Sequence, residues 1–212
     1  LKELDKDIAK KLLQIKAIKL SPQNPFTWAS GIKSPIYCDN RITLSYPEIR
    51  SKIKEGFAQL STKFGEFDHI SGVATAGIAH GALLADHLQL PFSYVRSSAK
   101  KHGRQNKIEG HIAEGSKILV IEDLISTGGS SILAVEDLRE AGYDVVGVMA
   151  IFTYEFEKAQ ANFDKANCKF DTLSRYSVMI DQAATDEYIT QDQARILGEW
   201  SKSPNEWFDN NF

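Results

Sequence analysis

Cysteine is scarce in this 212-residue chain. The two present, Cys38 and Cys168, have no metal-ligand spacing and form no disulfide framework, which excludes a thiolate zinc site and a disulfide-stapled fold. The five histidines are scattered, with no H-E-x-x-H pair for a zinc hydrolase. Excess positive charge is missing too. Lys and Arg number 25 against 28 Asp and Glu, a net charge of −3, so nothing suggests a general nucleic-acid binder and any anion site must be built locally. No apolar run reaches membrane-spanning length and no signal peptide is read, so a reducing, cytoplasmic setting is expected. Internal repeats and low-complexity linkers are absent as well. The first residue is Leu1 rather than Met, which leaves room for a short missing N-terminal piece. What is there is an ordinary globular composition, 42% hydrophobic and 25% charged, in a length that suits one α/β domain over residues 1–212.

Residues 117–131, KILVIEDLISTGGSS, concentrate the chemistry. Ile118 to Ile121 read as a strand buried on both faces, and two acids, Glu122 and Asp123, follow it directly. A loop of small and hydroxyl residues comes next, Ser126, Thr127, Gly128, Gly129 and Ser130, and a helix opens at Ser130 or Ser131 and runs to a glycine stop at Gly142. Glycines let backbone amides approach a ligand closely, and a helix N-terminus offers unpaired amides to a phosphate. The motif is not a P-loop, because no Gly-Lys-Ser/Thr follows, and G-x-G-x-x-G is absent. The glycine pair alone reads equally well as an ordinary turn. The acids alter the balance, because carboxylates at the end of a buried strand are costly unless paired or functional. Beside a phosphate they would repel it, so they should serve sugar hydroxyls, or a divalent cation held directly or through water.

Apolar periodicity predicts a helix over residues 4–18. Residues 20–41 carry three prolines and read as a small irregular cap or hood, with strands at 27–28 and 36–38 in a hairpin-like element. Pro47 opens a helix whose apolar face is Ile49, Ile53, Phe57, Leu60 and Phe64. Strands follow at 69–74, 92–96, 117–122, 145–152 and 169–173, with helices at 77–88, 131–141 and 155–166. That alternation implies a parallel sheet covered on both faces, with ligands beyond the carboxyl ends of the strands. Residues 74–77 form a second small-residue turn, suited either to another anionic group or to close strand–helix packing. Residues 171–188 show no clean period; a helix over 190–200 should turn Ile196, Leu197 and Trp200 inward, with Trp207 and Phe208 docked on the body. The segment 96–110 carries Arg96, Lys100, Lys101, His102, Arg104 and Lys107 against only Glu109. By composition it is a solvated surface loop; by its place beside the glycine loop it reads as a mobile lid, mainly 97–110, for a highly charged substrate.

A phosphate nest, an acid pair and a basic lid suit a sugar with a phosphate at one end and a polyphosphate at the other. IEDLISTGGSS resembles the phosphoribosyl-pyrophosphate signature of the type I phosphoribosyltransferases. FTWASGIKSPIYCDNR is similar to the N-terminal hood of the orotate phosphoribosyltransferases, with its S-G-x-K-S-P element, and YVRSSAKKHG to their catalytic loop, with R-x-x-x-K-x-H at Arg96, Lys100 and His102. The resemblance covers roughly residues 8–155. It implies a parallel-sheet α/β fold with helices on both faces and a small N-terminal hood, mainly residues 1–45, over the site. It also implies transfer of ribose 5-phosphate from phosphoribosyl pyrophosphate to orotate, giving orotidine 5′-monophosphate in pyrimidine synthesis. Glu122 and Asp123 would bind the ribose 2′- and 3′-hydroxyls. Leu124, Ile125, Ser126, Thr127, Gly128, Gly129 and Ser130 would cradle the 5′-phosphate, with Ser126 also contacting orotate. Arg96, Lys100 and His102 would neutralise pyrophosphate, and Lys100, His102 and Asp123 are the catalytic candidates. Mg²⁺ would be held through substrate and water rather than directly by side chains. The implied assembly is a homodimer sharing the loop across subunits, with no nucleic-acid or membrane partner.

The resemblance departs at three places. Many members carry a lysine at the position of Ala29, Tyr-Lys at Thr75-Ala76, and an Arg at the end of the strand that here reads Ile151-Phe152-Thr153-Tyr154. Lys33, Arg41 or hood amides are then the candidates for the orotate carboxylate. Two other functions share the signature. A purine-type phosphoribosyltransferase would lack the S-G-x-K-S-P hood, and a phosphoribosyl-pyrophosphate-sensing regulator would need no basic lid and would add a basic nucleic-acid face.

Overall fold

The computed structural model describes residues 2–28, 31–97 and 107–211. Helix α1 (Lys2–Gln14) buries Ile8, Leu12 and Leu13. It stops short of the predicted residue 18 because Lys16 turns left-handed at φ 59° and the chain then extends into β1 (Ile18–Leu20). The hood follows as β2 (Phe26–Thr27), β3 (Lys33–Ser34) and β4 (Ile36–Cys38). The expected pairing of 27–28 with 36–38 is not what forms. Strand β2 pairs with β3, and β4 pairs with β1, Ile18 opposite Cys38. Pro35 separates the two ladders: it has no N–H to donate, while its carbonyl accepts from Ser21 N at 2.8 Å.

A 3-10 turn, Asn40–Ser45, is capped by the Asp39 side chain and leads to α2 (Pro47–Ser61), with proline in its first turn as expected. The rest alternates: β5 (His69–Val73), α3 (Ala76–Leu88), β6 (Phe92–Val95), β7 (Ile108–Glu109), β8 (Lys117–Ile125), α4 (Gly129–Glu140), β9 (Asp144–Thr153), α5 (Glu157–Lys165), β10 (Phe170–Arg175), α6 (Tyr176–Thr185), α7 (Gln191–Trp200) and α8 (Trp207–Asn211). Among the described residues the main sheet runs β10-β9-β8-β5-β6-β7. It is parallel except at one edge, where the two-residue β7 pairs antiparallel with β6; so short a strand has no visible period in the sequence. Helix α6 was hidden for another reason: the window 171–188 straddles the end of a strand and a helix. Within the helix itself Tyr176, Met179, Ile180 and Ala183 are buried at helical spacing.

Both faces of the sheet are packed. Leu119, Ile121, Met149 and Ile151 join the core beneath α1, α2, α3 and α6. Ile118, Val120, Val148 and Ala150 join the second core, with Ala134, Val135 and Leu138 of α4 and Phe163 of α5. Such continuous apolar runs are what two-sided burial requires. Gly147 makes a bulge at φ 155°, with the Phe64 ring filling the space a Cβ would take. Val145 and Val148 consequently share a face despite their odd spacing.

Candidate active site

Strands β5 and β8 are parallel neighbours, Gly72 opposite Ile121. From β5 the chain winds outward to β6, and from β8 it winds the other way to β9. The order therefore reverses between them, and their carboxyl ends open a crevice of the kind in which α/β sheets bind ligands. Both small-residue turns meet there. In the 74–77 turn the Ala74–Thr75 peptide is cis, and Ala74 N donates to Val95 O at 2.9 Å. A Cβ on Gly77 would run into the Ile121 carbonyl, and one on Gly72 would sit 2.8 Å from Gly77 O. Close strand–helix packing is thus one role of this turn, whatever else it binds.

Strand β8 runs on through the acid pair to Ile125 instead of ending at residue 122. Glu122, paired with Ala150, is 5% exposed and lies against the first turn of α4. Its Oε2 accepts from the Ser130 and Ser131 hydroxyls at 3.1 and 3.3 Å, and its Oε1 from Asp123 N at 3.0 Å. Asp123 is less buried and faces the hood, where Asn40 Nδ2 donates to its carbonyl at 2.8 Å. Burial, and then the neighbouring Asp123 carboxylate, push Glu122 up to about 8. Burial also raises Asp123, against a hydrogen bond from Glu122 and the more distant Arg41 guanidinium. Burial disfavours the charged form of both carboxyls, and their mutual repulsion disfavours ionising the two together.

The loop after the pair is built to leave amides available. Gly128 sits at φ 79°, and the Phe163 ring occupies the place of its missing Cβ at 2.6 Å. Asn162 Nδ2 fastens Thr127 O at 2.9 Å. Helix α4 opens at Gly129, slightly earlier than predicted, and no side chain among the described residues caps its first turn. The N-cap position is Gly128, which has no side chain to accept from the first-turn amides, and Ser130 and Ser131 lie inside the helix, donating their hydroxyls to Glu122. Thr127, Gly129 and Ser130 are exposed and Ser126 is half-buried, whereas the side chains of Leu124 and Ile125 pack into the cores and can offer only backbone. Uncapped amides at a helix start form an anion site without further help.

The lid candidates divide. Arg96 is placed at the end of β6, where its backbone N donates to Lys107 O at 2.9 Å and its guanidinium pairs with Glu109 at 3.4 Å. Lys107 pairs with Asp137 at 2.8 Å. Lys100 and His102 lie outside the described residues, as do Lys101, Arg104 and Ala29. On the hood, Lys33 Nζ donates to Thr27 Oγ1 at 2.7 Å, and Arg41 Nε and Nη2 bind Asp39 at 2.7 and 2.9 Å. Arg41 rather than Lys33 acts on Asp123. Sequence reasoning missed Asn40 and Ser131; one amide in a hood and one more serine in a helix start carry no distinguishing pattern. Among the described residues no three His, Cys, Asp or Glu side chains cluster as a metal cage, and no helix is long and apolar enough to cross a membrane.

Comparison with known proteins bears on the same residues. The family described as phosphoribosyl transferase domain matches residues 43–186. The orotate phosphoribosyltransferase of Lactococcus lactis subsp. cremoris (strain MG1363) is 53% identical over 205 residues, covering 96% of this chain and 98% of that protein. That of Porphyromonas gingivalis is 54% identical over 208 residues, covering 98% and 99%. Among solved structures, the orotate phosphoribosyltransferase from Aeropyrum pernix superposes with a TM-score of 0.76 at 25% identity, covering 84% of this chain and 98% of that one. The switch-point crevice, its acid pair and its uncapped loop thus sit inside a shared domain, and relatives of one kind match the chain from end to end: it belongs to the orotate phosphoribosyltransferases, within the phosphoribosyl transferase family.

Proposed function

We propose that the chain acts as one phosphoribosyltransferase unit that moves ribose 5-phosphate from phosphoribosyl pyrophosphate to orotate, releasing pyrophosphate, in pyrimidine synthesis. The observation that carries this is the pairing, at one crevice, of an uncapped helix start with an acid pair in which Glu122 is held by Ser130 and Ser131 and the less buried Asp123 faces the hood. The amides of residues 126–130 take the 5′-phosphate. Asp123, with Glu122 behind it, accepts from the ribose 2′- and 3′-hydroxyls. Cleavage at the anomeric carbon proceeds through an oxocarbenium-like state, for which a nearby anion is favourable and no protein nucleophile is required. Arg96, Lys100 and His102 stabilise the charge on the departing pyrophosphate, and positioning does the rest. Ser126 meets orotate, and Lys33, Arg41 or hood amides hold its carboxylate.

Mg²⁺ fits the donor set. The crevice offers a pair of carboxyls and no cage, and magnesium is commonly held by one or two carboxylates plus substrate oxygens and water. Asp123 and Glu122 would meet it through ribose hydroxyls and water, and when bound it would neutralise pyrophosphate charge. The working form is a homodimer in the cytoplasm, with the loop 97–110 of each subunit closing over its partner's site.

The test mixes protein, Mg²⁺, phosphoribosyl pyrophosphate and orotate and follows the ultraviolet absorbance of orotate. Absorbance should change only when all four are present. Turnover of hypoxanthine or adenine, with none of orotate, would refute the assignment.

A further inference from the structure

The family match covers residues 43–186, which leaves the hood and the C-terminal segment outside the shared domain. Those two outlying pieces meet each other. Helix α7 begins where a reciprocal capping box forms: Thr190 Oγ1 accepts from Gln193 N at 3.2 Å, and Gln193 Oε1 accepts from Thr190 N at 2.9 Å. Tyr176 OH donates to Leu197 O at 2.9 Å and fastens α7 to α6. At the end of α7, Trp200 is fully buried and stands edge-on to Trp28 of the hood, with ring centroids 5.7 Å apart. It also meets Tyr154, the residue after β9, edge-on at 5.5 Å, and Tyr154 faces Trp28 at 5.3 Å. Further along, Lys33 of β3 lies 5.9 Å from the centre of the Phe208 ring of α8.

From Trp28 the contacts continue to the site. Its indole N–H donates to Ile36 O at 3.1 Å and so fixes the β2–β3 hairpin to β4. Two residues beyond β4, Asn40 donates to the carbonyl of Asp123 at 2.8 Å. The C-terminal helix is thus joined to the hood, and the hood's far end at Asn40 meets the backbone carbonyl of Asp123 rather than its carboxylate, the group read as binding ribose.

We propose that Trp200 is a positioning residue for base binding: it buttresses Trp28, and through Trp28 the hood strands that close over orotate. This rests on the reading of the hood as the base side of the site. The phosphate loop is fastened separately, by Asn162 and the Phe163 ring of α5, so phosphoribosyl pyrophosphate should be held without this buttress. Trp200's own indole N–H has no hydrogen-bond partner among the described residues. Ring packing alone then sets its position, and a phenylalanine there forfeits no hydrogen bond.

Steady-state kinetics on the full chain tests it. Trp200→Leu should raise KM for orotate by about 3- to 10-fold, the scale of lost aromatic pairs, and leave KM for phosphoribosyl pyrophosphate within about twofold. Trp200→Phe should recover most of the loss. Trp200→Met fills the core without an aromatic ring and is read in place of the leucine variant should that one not fold. Both KM values rising together, an unchanged KM for orotate in the folded variant, or no recovery with phenylalanine would each overturn the proposal. If the wild type uses a purine base instead, the functional assignment fails separately, and the same split is read on that base's KM.

Discussion

Glu122 is a site residue whose titration is altered by its surroundings. Its ordinary value is 4.5, and burial lifts it to about 8. Between those values the folded protein keeps a proton that the unfolded chain gives up, so the free energy of unfolding falls as pH rises through that window. Glu122→Gln removes the ionisable group and retains an acceptor for Ser130 and Ser131. Thermal melts should then show a Tm that declines less between pH 5 and about 8 than the wild type's. A decline as steep as the wild type's would show that another group carries the titration. His80 has the opposite sign. Burial, and then Arg50, lower it from 6.5 to about 4, and it contacts Thr43 Oγ1 at 3.2 Å. Its contribution is complete above 6.5 and is lost as pH falls toward 4, so His80→Gln should flatten the acid side of the same Tm profile. The acid pair itself was legible as a motif, because two carboxylates beside an apolar run are conspicuous. Its internal division was not: only the folded chain brings Ser130 and Ser131 onto Glu122 and Asn40 onto Asp123.

Among the elements, the 74–77 turn at the crevice is constrained by backbone contact. The Ile121 carbonyl against Gly77 belongs to a central strand and cannot swing aside. Gly77→Ala should cost about 1–3 kcal/mol, the usual penalty of overpacking, and weaken phosphoribosyl pyrophosphate binding as the turn shifts. Denaturant melts and KM measurements check both; an alanine variant of wild-type stability would mean that the start of α3 moves freely away from β8. Residues 97–110 read as a lid from charge and position; the far end of that range is strand β7, Ile108 and Glu109 pairing with β6, and residues 98–106 lie outside the described residues. Lys100→Ala should lower kcat by about 10²–10³-fold with a smaller change in KM, as expected for a group that acts on transition-state charge. Unchanged turnover would remove Lys100 from the mechanism.

The whole molecule is two cores on either side of one sheet, with its chemistry at the point where the strand order reverses. The proposed sharing of the loop between subunits has a direct test. Lys100→Ala and Asp123→Asn should each be nearly inactive alone. Refolded together as a random mixture, they should regain about a quarter of wild-type activity, because half the dimers are mixed and each of those holds one intact site. No recovery would place each loop over its own subunit's crevice. At this scale the C-terminal segment also changes meaning. A helix ending in Trp200, with Trp207 and Phe208 beyond it, reads in sequence as packing onto the body. In the fold, part of what Trp200 packs onto is the hood.

The sequence by itself determined the alternation of strands and helices, the two-sided burial of the sheet and the residues of the acid pair and glycine loop. Those signals are local: apolar runs, helical spacing and small residues at turns lie within a few positions of one another. Tertiary structure decided the rest. It paired β4 with β1 across Pro35, set the edge strand β7 antiparallel, carried β8 through the acids and buried Glu122 so that its carboxyl titrates well above its ordinary value. It also brought Trp200 to Trp28. Each of these depends on which distant residues remove water from a group or complete its hydrogen bonds, and that is fixed only when the chain has closed on itself.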